Sequence, residues 1–147
     1  MRARSCLLPV VLVLLALVAC PPARADDQGV SAADAAAIRA VISHQLGAFL
    51  RDDKAAAFAD ASPAIQGIFH DPDTFMRMVR DAYQPVYRSS GVEFRAISPV
   101  GGRLVQQVYM VGPDGIPVLA DYEMQRQPDG SWRINGCRIA RAPDQGV

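Results

Sequence analysis

His44 and His70 are the only histidines in the sequence, and neither falls in the H-x-x-x-H or H-E-x-x-H spacing that would set ligands around a metal. His70-Asp71-Pro72-Asp73 could gather one imidazole and two carboxylates, but aspartates before and after a proline read as a helix start, where acidic side chains cap free amides. No serine lies in G-x-S-x-G, and Gly101-Gly102 reads as a turn with none of the phosphate-loop pattern. Acid–base chemistry would need a carboxylate desolvated inside an apolar pocket. The best-placed acids, Asp121 and Glu123, alternate with Tyr122 and Met124 along one strand and so share a face that reads as solvated or subunit-facing. Asp52-Asp53 read as a helix-to-helix link. No catalytic, metal or cofactor residue is assigned.

Polar groups on inward faces are a different matter. Gln45, Tyr83 and Tyr122 fall among apolar positions, with Tyr87 and Trp132 close by in pattern. Apolar walls carrying a few oriented hydrogen-bond groups are what a small-molecule site offers, so these five are the pocket candidates. Buried tyrosine and tryptophan also occur simply as core residues whose polar ends find backbone or water.

The elements that must position them divide the chain in two. Ser31-Ala32-Ala33-Asp34 is a capping pattern, followed at helical spacing by Ile38, Val41, Ile42, Gln45, Leu46, Phe49 and Leu50. A second short helix spans Ala55 to Ala61 and stops before Pro63; Ile65, Ile68 and Phe69 suggest a further turn. Pro72 marks the first position of another helix, with Phe75, Met78, Val79 and Tyr83 as its inner stripe, ending towards Pro85. Four strands follow: Val92 to Ile97, Leu104 to Val111, Pro117 to Arg126 and Trp132 to Ala140. Pro113-Asp114-Gly115 and Pro128-Asp129-Gly130 are the turns of adjacent antiparallel hairpins. The expected class is α+β, with N-terminal helices on a four-stranded antiparallel sheet, as one domain over residues 26–147 with its core at about 31–141.

Residues 1–25 read as a signal peptide: Arg2 and Arg4 precede an apolar run from Leu7 to Ala19 that ends at Ala23-Arg24-Ala25. Leu17-Val18-Ala19-Cys20 also fits a lipobox, which would anchor the domain by a lipid on Cys20. Pro21 and Pro22 after that cysteine favour ordinary cleavage and a soluble periplasmic product. Of the fifteen basic residues, three leave with the signal, so twelve face fifteen acidic ones, a net charge of −3. With one lysine, Lys54, and no arginine cluster, nucleic acid is excluded as a partner, and no later segment suits a membrane span. Cys137 then has no cysteine to pair with inside the domain, and it reads as a buried structural thiol.

Gln45-Leu46, Ala48-Phe49, Asp52-Asp53, Ala61-Ser62-Pro63, Phe75, Met78-Val79, Tyr83 and Pro85-Val86-Tyr87-Arg88, with Asp129-Gly130, Trp132-Arg133-Ile134 and Gly136-Cys137 further on, resemble the exported bacterial family labelled domain of unknown function 4864. The resemblance implies a nuclear-transport-factor-2-like, cystatin-like cone, a fold that hosts isomerases, dehydratases and binding modules alike. The expected function is a non-enzymatic module of the periplasm that binds a small ligand or an envelope protein. The alternatives are an isomerase or hydrolase using a buried carboxylate, and a structural homodimer or assembly protein joined through the polar sheet face of Glu93, Arg95, Asp121, Glu123 and Arg133.

Overall fold

Among the described residues, five helices come first and four strands after them. The computed structural model describes residues 29–143; the expected signal peptide and Cys20 lie outside the described residues. Helix α1, Ala32–Leu50, opens at Ser31, whose Oγ accepts from the Asp34 amide at 3.0 Å and donates to the Asp34 carboxylate at 2.8 Å. Its inner face is Ile38, Ile42, Gln45, Leu46, Ala48 and Phe49, all buried at helical spacing. Leu50, expected in that stripe, is instead 54 % exposed, because the helix is closing there. The Asp52 amide returns to the Phe49 carbonyl (3.1 Å) and the Asp53 amide to the Ala48 carbonyl (2.9 Å), with Asp52 left-handed at φ 56°. That is a Schellman end with aspartate where glycine is usual.

Helix α2, Lys54–Ala59, is capped by Asp53; α3, Pro63–Phe69, by Ser62; and α4, Pro72–Ala82, by Asp71, each cap accepting from an amide three residues on. Pro63 and Pro72 stand at helix starts, where their missing N–H has no partner to lose. A short α5, Gln84–Tyr87, follows Tyr83. The inner stripe of α4 differs from the expectation at one position. Met76 is in the core, 2 % exposed, while Met78 is half-buried.

Strands β1 (Ser90–Val100), β2 (Arg103–Val111), β3 (Pro117–Arg126) and β4 (Trp132–Arg141) pair in sequence order, all antiparallel, in an open sheet. Glycines at φ 77° (Gly115) and 86° (Gly130) turn the two later hairpins. Register shifts interrupt β1 between Ser90 and Glu93 and between Phe94 and Ile97, and the β3–β4 pair at Glu123/Met124; such bulges bend a strand. The inner face carries Val108 and Met110 of β2, Ala120, Tyr122 and Met124 of β3, and Ile134 of β4, all buried against the helices. Phe49 sits at the centre, 1 % exposed, its ring 6.3 Å from Phe75 and 6.4 Å from Tyr87. Burying one such ring contributes roughly 1.5–3 kcal/mol.

Two buried polar residues, Ser89 and Gln106, carry no signal in the sequence. Gln106 is fully buried, and its amide donates to the Arg95 and Gln107 carbonyls, both at 2.8 Å. Arg95 lies inside the second bulge of β1, where a carbonyl loses its ladder partner, so Gln106 replaces the missing donor. Among the described residues, no helix is long and apolar enough to cross a membrane.

Candidate functional site

A cavity of about 280 Å³ lies between the helices and the inner face of β3 and β4. Helix α1 contributes Gln45 and Phe49, and α4 contributes Phe75, Met78 and Val79. Tyr122 and Cys137 form the sheet side; they are directly opposed in the β3–β4 register. The remaining wall is α3, a helix with no buried residue, whose Ile65, Ile68 and Phe69 all face the cavity. Ile68, 65 % exposed, marks the rim. Ile65 and Phe69 also pack against the core, with the Phe69 ring 5.6 Å from that of Phe75, so α3 forms a cover joined to the core along one edge.

Two anchors hold that cover in place. The Ser62 amide donates to the Ile134 carbonyl at 2.8 Å and the Ile134 amide to the Asp60 carbonyl at 2.9 Å, so residues 60–62 lie alongside β4 as a short parallel bridge. Ser62 Oγ, the cap of α3, donates to Asn135 Oδ1 at 2.7 Å, and Asn135 Nδ2 donates to Glu123 at 2.6 Å. Asn135 is the extra residue of the β4 bulge, so the bulge turns its side chain to meet α3.

Of the five pocket candidates, three come together. Gln45 is 3 % exposed, and its Nε2 donates to the Ala57 carbonyl at 3.0 Å. Tyr83, at the α4–α5 junction, donates its hydroxyl to the Cys137 carbonyl at 3.1 Å. Tyr122 is fully buried, and its hydroxyl has no hydrogen-bond partner although the Cys137 thiol lies beside it. Burial first, and the neighbouring cysteine second, hold the Tyr122 hydroxyl well above its usual range. The Cys137 thiol is pushed up to about 12, by burial first and the Asp121 carboxylate second. Both groups are therefore neutral at physiological pH. None of the described residues lining the cavity carries an ionisable acid or base of the Asp, Glu, His, Lys or Arg type.

Tyr87 and Trp132 stand elsewhere. Tyr87 lies behind Phe49, where its hydroxyl donates to the Asp52 carboxylate; Arg88 stacks on its ring at 3.7 Å and donates to the Phe49 carbonyl at 2.6 Å. It braces the end of α1 and holds Asp52 in its left-handed conformation. Trp132 donates its indole N–H to Asp34 at 3.0 Å, tying β4 to the first turn of α1. Of the ring candidates, Tyr83 and Tyr122 line the cavity and Tyr87 and Trp132 do not; the partners of their polar ends, supplied by distant segments, do not show in the sequence.

The carboxylates considered for acid–base work are committed on other surfaces. Asp121 accepts from Gln107 at 3.0 Å and Glu123 from Arg103 at 3.0 Å, both on the outer sheet face, while Asp53 caps α2. Asn135 first, then Arg103, holds the Glu123 carboxyl below its usual range. His44 Nδ1 meets Asp60 at 2.6 Å on the surface, and His70 ends α3 at φ 66°. The sequence marks Cys137 only as a buried thiol in the last strand, since the bulge that sets it opposite Tyr122 leaves no local signal, and it marks α3 only through Ile65, Ile68 and Phe69.

The sequence matches the family described as Domain of unknown function (DUF4864) over residues 31–147, from the cap of α1 past the end of β4. The chain belongs to that family. No curated protein and no solved structure matches it. In this DUF4864 chain, all of the cavity walls fall inside the matched span.

Proposed function

We propose that this protein is a non-enzymatic small-ligand-binding module, exported to the periplasm, that holds its ligand between α3 and the β3–β4 hairpin. The observation that carries the reading is the cavity of about 280 Å³, whose apolar walls bring Gln45, Tyr83 and Tyr122 together. It stands just below the ~300–1,000 Å³ of small-molecule sites, the size for a small ligand. The acid–base alternative is not favoured, because Asp121 and Glu123 point to the opposite face of the sheet. Nor is assembly through that face favoured: Glu93 pairs with Arg95 at 3.2 Å and Arg103 with Glu123 at 3.0 Å within one chain. Helices preceding an open antiparallel sheet also support reading the architecture as the nuclear-transport-factor-2-like cone.

The binding reading is tested by titration with isopropylbenzene, a small apolar probe. One saturable site per chain is expected, with a dissociation constant on the order of 0.1 mM for so small a molecule. Ile68→Asp, which puts a charge on the rim at an exposed position, should weaken it without unfolding the chain. Absence of saturable binding refutes the reading.

Export rests on the sequence: the basic start, the apolar run from Leu7 to Ala19 and the Ala23-Arg24-Ala25 end. The mass of the protein isolated from its own host decides between the two processing routes. A chain beginning at Asp26 is the expected result. A diacyl or triacyl mass on Cys20 would make it a tethered lipoprotein.

A further inference from the structure

We propose that the cavity takes a neutral, mainly apolar molecule of roughly nine or ten non-hydrogen atoms whose single hydrogen-bond acceptor, a ketone, ester or ether oxygen, is received by the Tyr122 hydroxyl. The inference rests on the cavity reading above and narrows it to a ligand class. At a liquid-like ~30 Å³ per non-hydrogen group, a space of about 280 Å³ holds that many.

Tyr122 provides the specificity. Its hydroxyl is fully buried without a partner, an arrangement that is destabilising compared with the phenyl ring alone and that calls for an explanation. The neighbours that could have received its proton are occupied or poorly suited. The Cys137 carbonyl already accepts from Tyr83 (3.1 Å), and the Gln106 side chain, across the β2–β3 register, is committed to backbone carbonyls and Arg39. The Cys137 thiol alongside is a weak acceptor. The hydroxyl has less than 1 Å² of accessible surface and the Cys137 thiol beside it, so a ligand oxygen in the cavity reaches it as that thiol gives way and takes the proton that the thiol holds only weakly.

The same walls reject an anion. No described residue lining the cavity carries a cationic side chain, and Arg138, opposite Asp121 in the register, belongs to the outer face. A carboxylate would lose its hydration and gain only one hydroxyl in exchange.

Three probes of nearly one shape separate these terms: acetophenone, isopropylbenzene and benzoate. In the wild-type chain at neutral pH, acetophenone and isopropylbenzene should bind and benzoate should not. In Tyr122→Phe, acetophenone should weaken about fivefold relative to isopropylbenzene, whose own affinity holds or improves. Because the variant removes an unpartnered hydroxyl and keeps the ring, its thermal midpoint should be at or above that of the wild type. Infrared spectroscopy gives a readout that needs no variant: the carbonyl stretch of bound acetophenone should lie at the lowered frequency of a hydrogen-bonded ketone. An alkane-like frequency, an unchanged ratio of the two affinities in Tyr122→Phe, or benzoate binding tighter than acetophenone would each overturn the proposal while leaving the cavity reading intact. Failure of isopropylbenzene itself to bind would sink the cavity reading and this one with it.

Discussion

Asp52 shows how a single residue ties a backbone conformation to charge. Its left-handed φ of 56° is uncommon outside glycine, and its carboxylate is gripped by the Tyr87 hydroxyl and by Arg88 at 2.8 and 3.0 Å. The Tyr87 hydrogen bond first, then Arg88, holds the Asp52 carboxyl below its usual value, and the Trp132 indole does the same for Asp34. A carboxyl with a depressed folded value stays ionised longer in the folded chain than in the unfolded one. It therefore stabilises the fold above the ordinary 3.8, and that contribution is lost as pH falls through the folded value. Tyr87→Phe should lower the urea midpoint at neutral pH, and its gap from the wild type should narrow as pH drops below about 4. Parallel curves down to acid would show that Asp52 does not depend on Tyr87.

Among the elements, α3 is held at its start by Ser62 and along its length by Gln66, whose Nε2 donates to the Phe58 and Ala61 carbonyls at 2.9 and 3.1 Å, and by Phe69 against Phe75. Ser62 is fully buried, caps the helix at the Ile65 amide (3.3 Å) and donates to Asn135 (2.7 Å), whereas Ile65, Ile68 and Phe69 look onto the cavity. Ser62→Ala should cost about 1–2 kcal/mol, and hydrogen exchange in residues 63–69 should accelerate more than in α1. Uniform acceleration along the chain would instead make Ser62 a global core residue. Most of these elements were legible beforehand, because the sequence marks them locally: Pro63 and Pro72 at helix starts, Gly115 and Gly130 in turns, and alternation along β3. The β3 boundaries Pro117–Arg126 were read as they stand. What escaped depends on contacts between distant segments. Gln106 answers a bulge in the neighbouring strand, Met76 joins Met78 on the inner side of α4, and Tyr87 and Trp132 direct their polar ends to Asp52 and Asp34. No periodicity within one element encodes those partners.

For the whole molecule, the arrangement amounts to a division of labour between the two faces of one sheet. The outer face closes its charges on itself through Arg95–Glu93 and Arg103–Glu123, and the inner face leaves an uncharged space under α3 with one unspent hydroxyl. On the proposed reading, recognition lies inside the molecule. The most direct test is to titrate the isotope-labelled protein with isopropylbenzene and follow its amide and methyl resonances. Saturable shifts centred on Phe49, Ile65, Met78, Tyr122 and Cys137, with Glu93, Arg103 and Glu123 undisturbed, are the predicted result. Shifts confined to the outer sheet face, or no saturable shift at all, would contradict it.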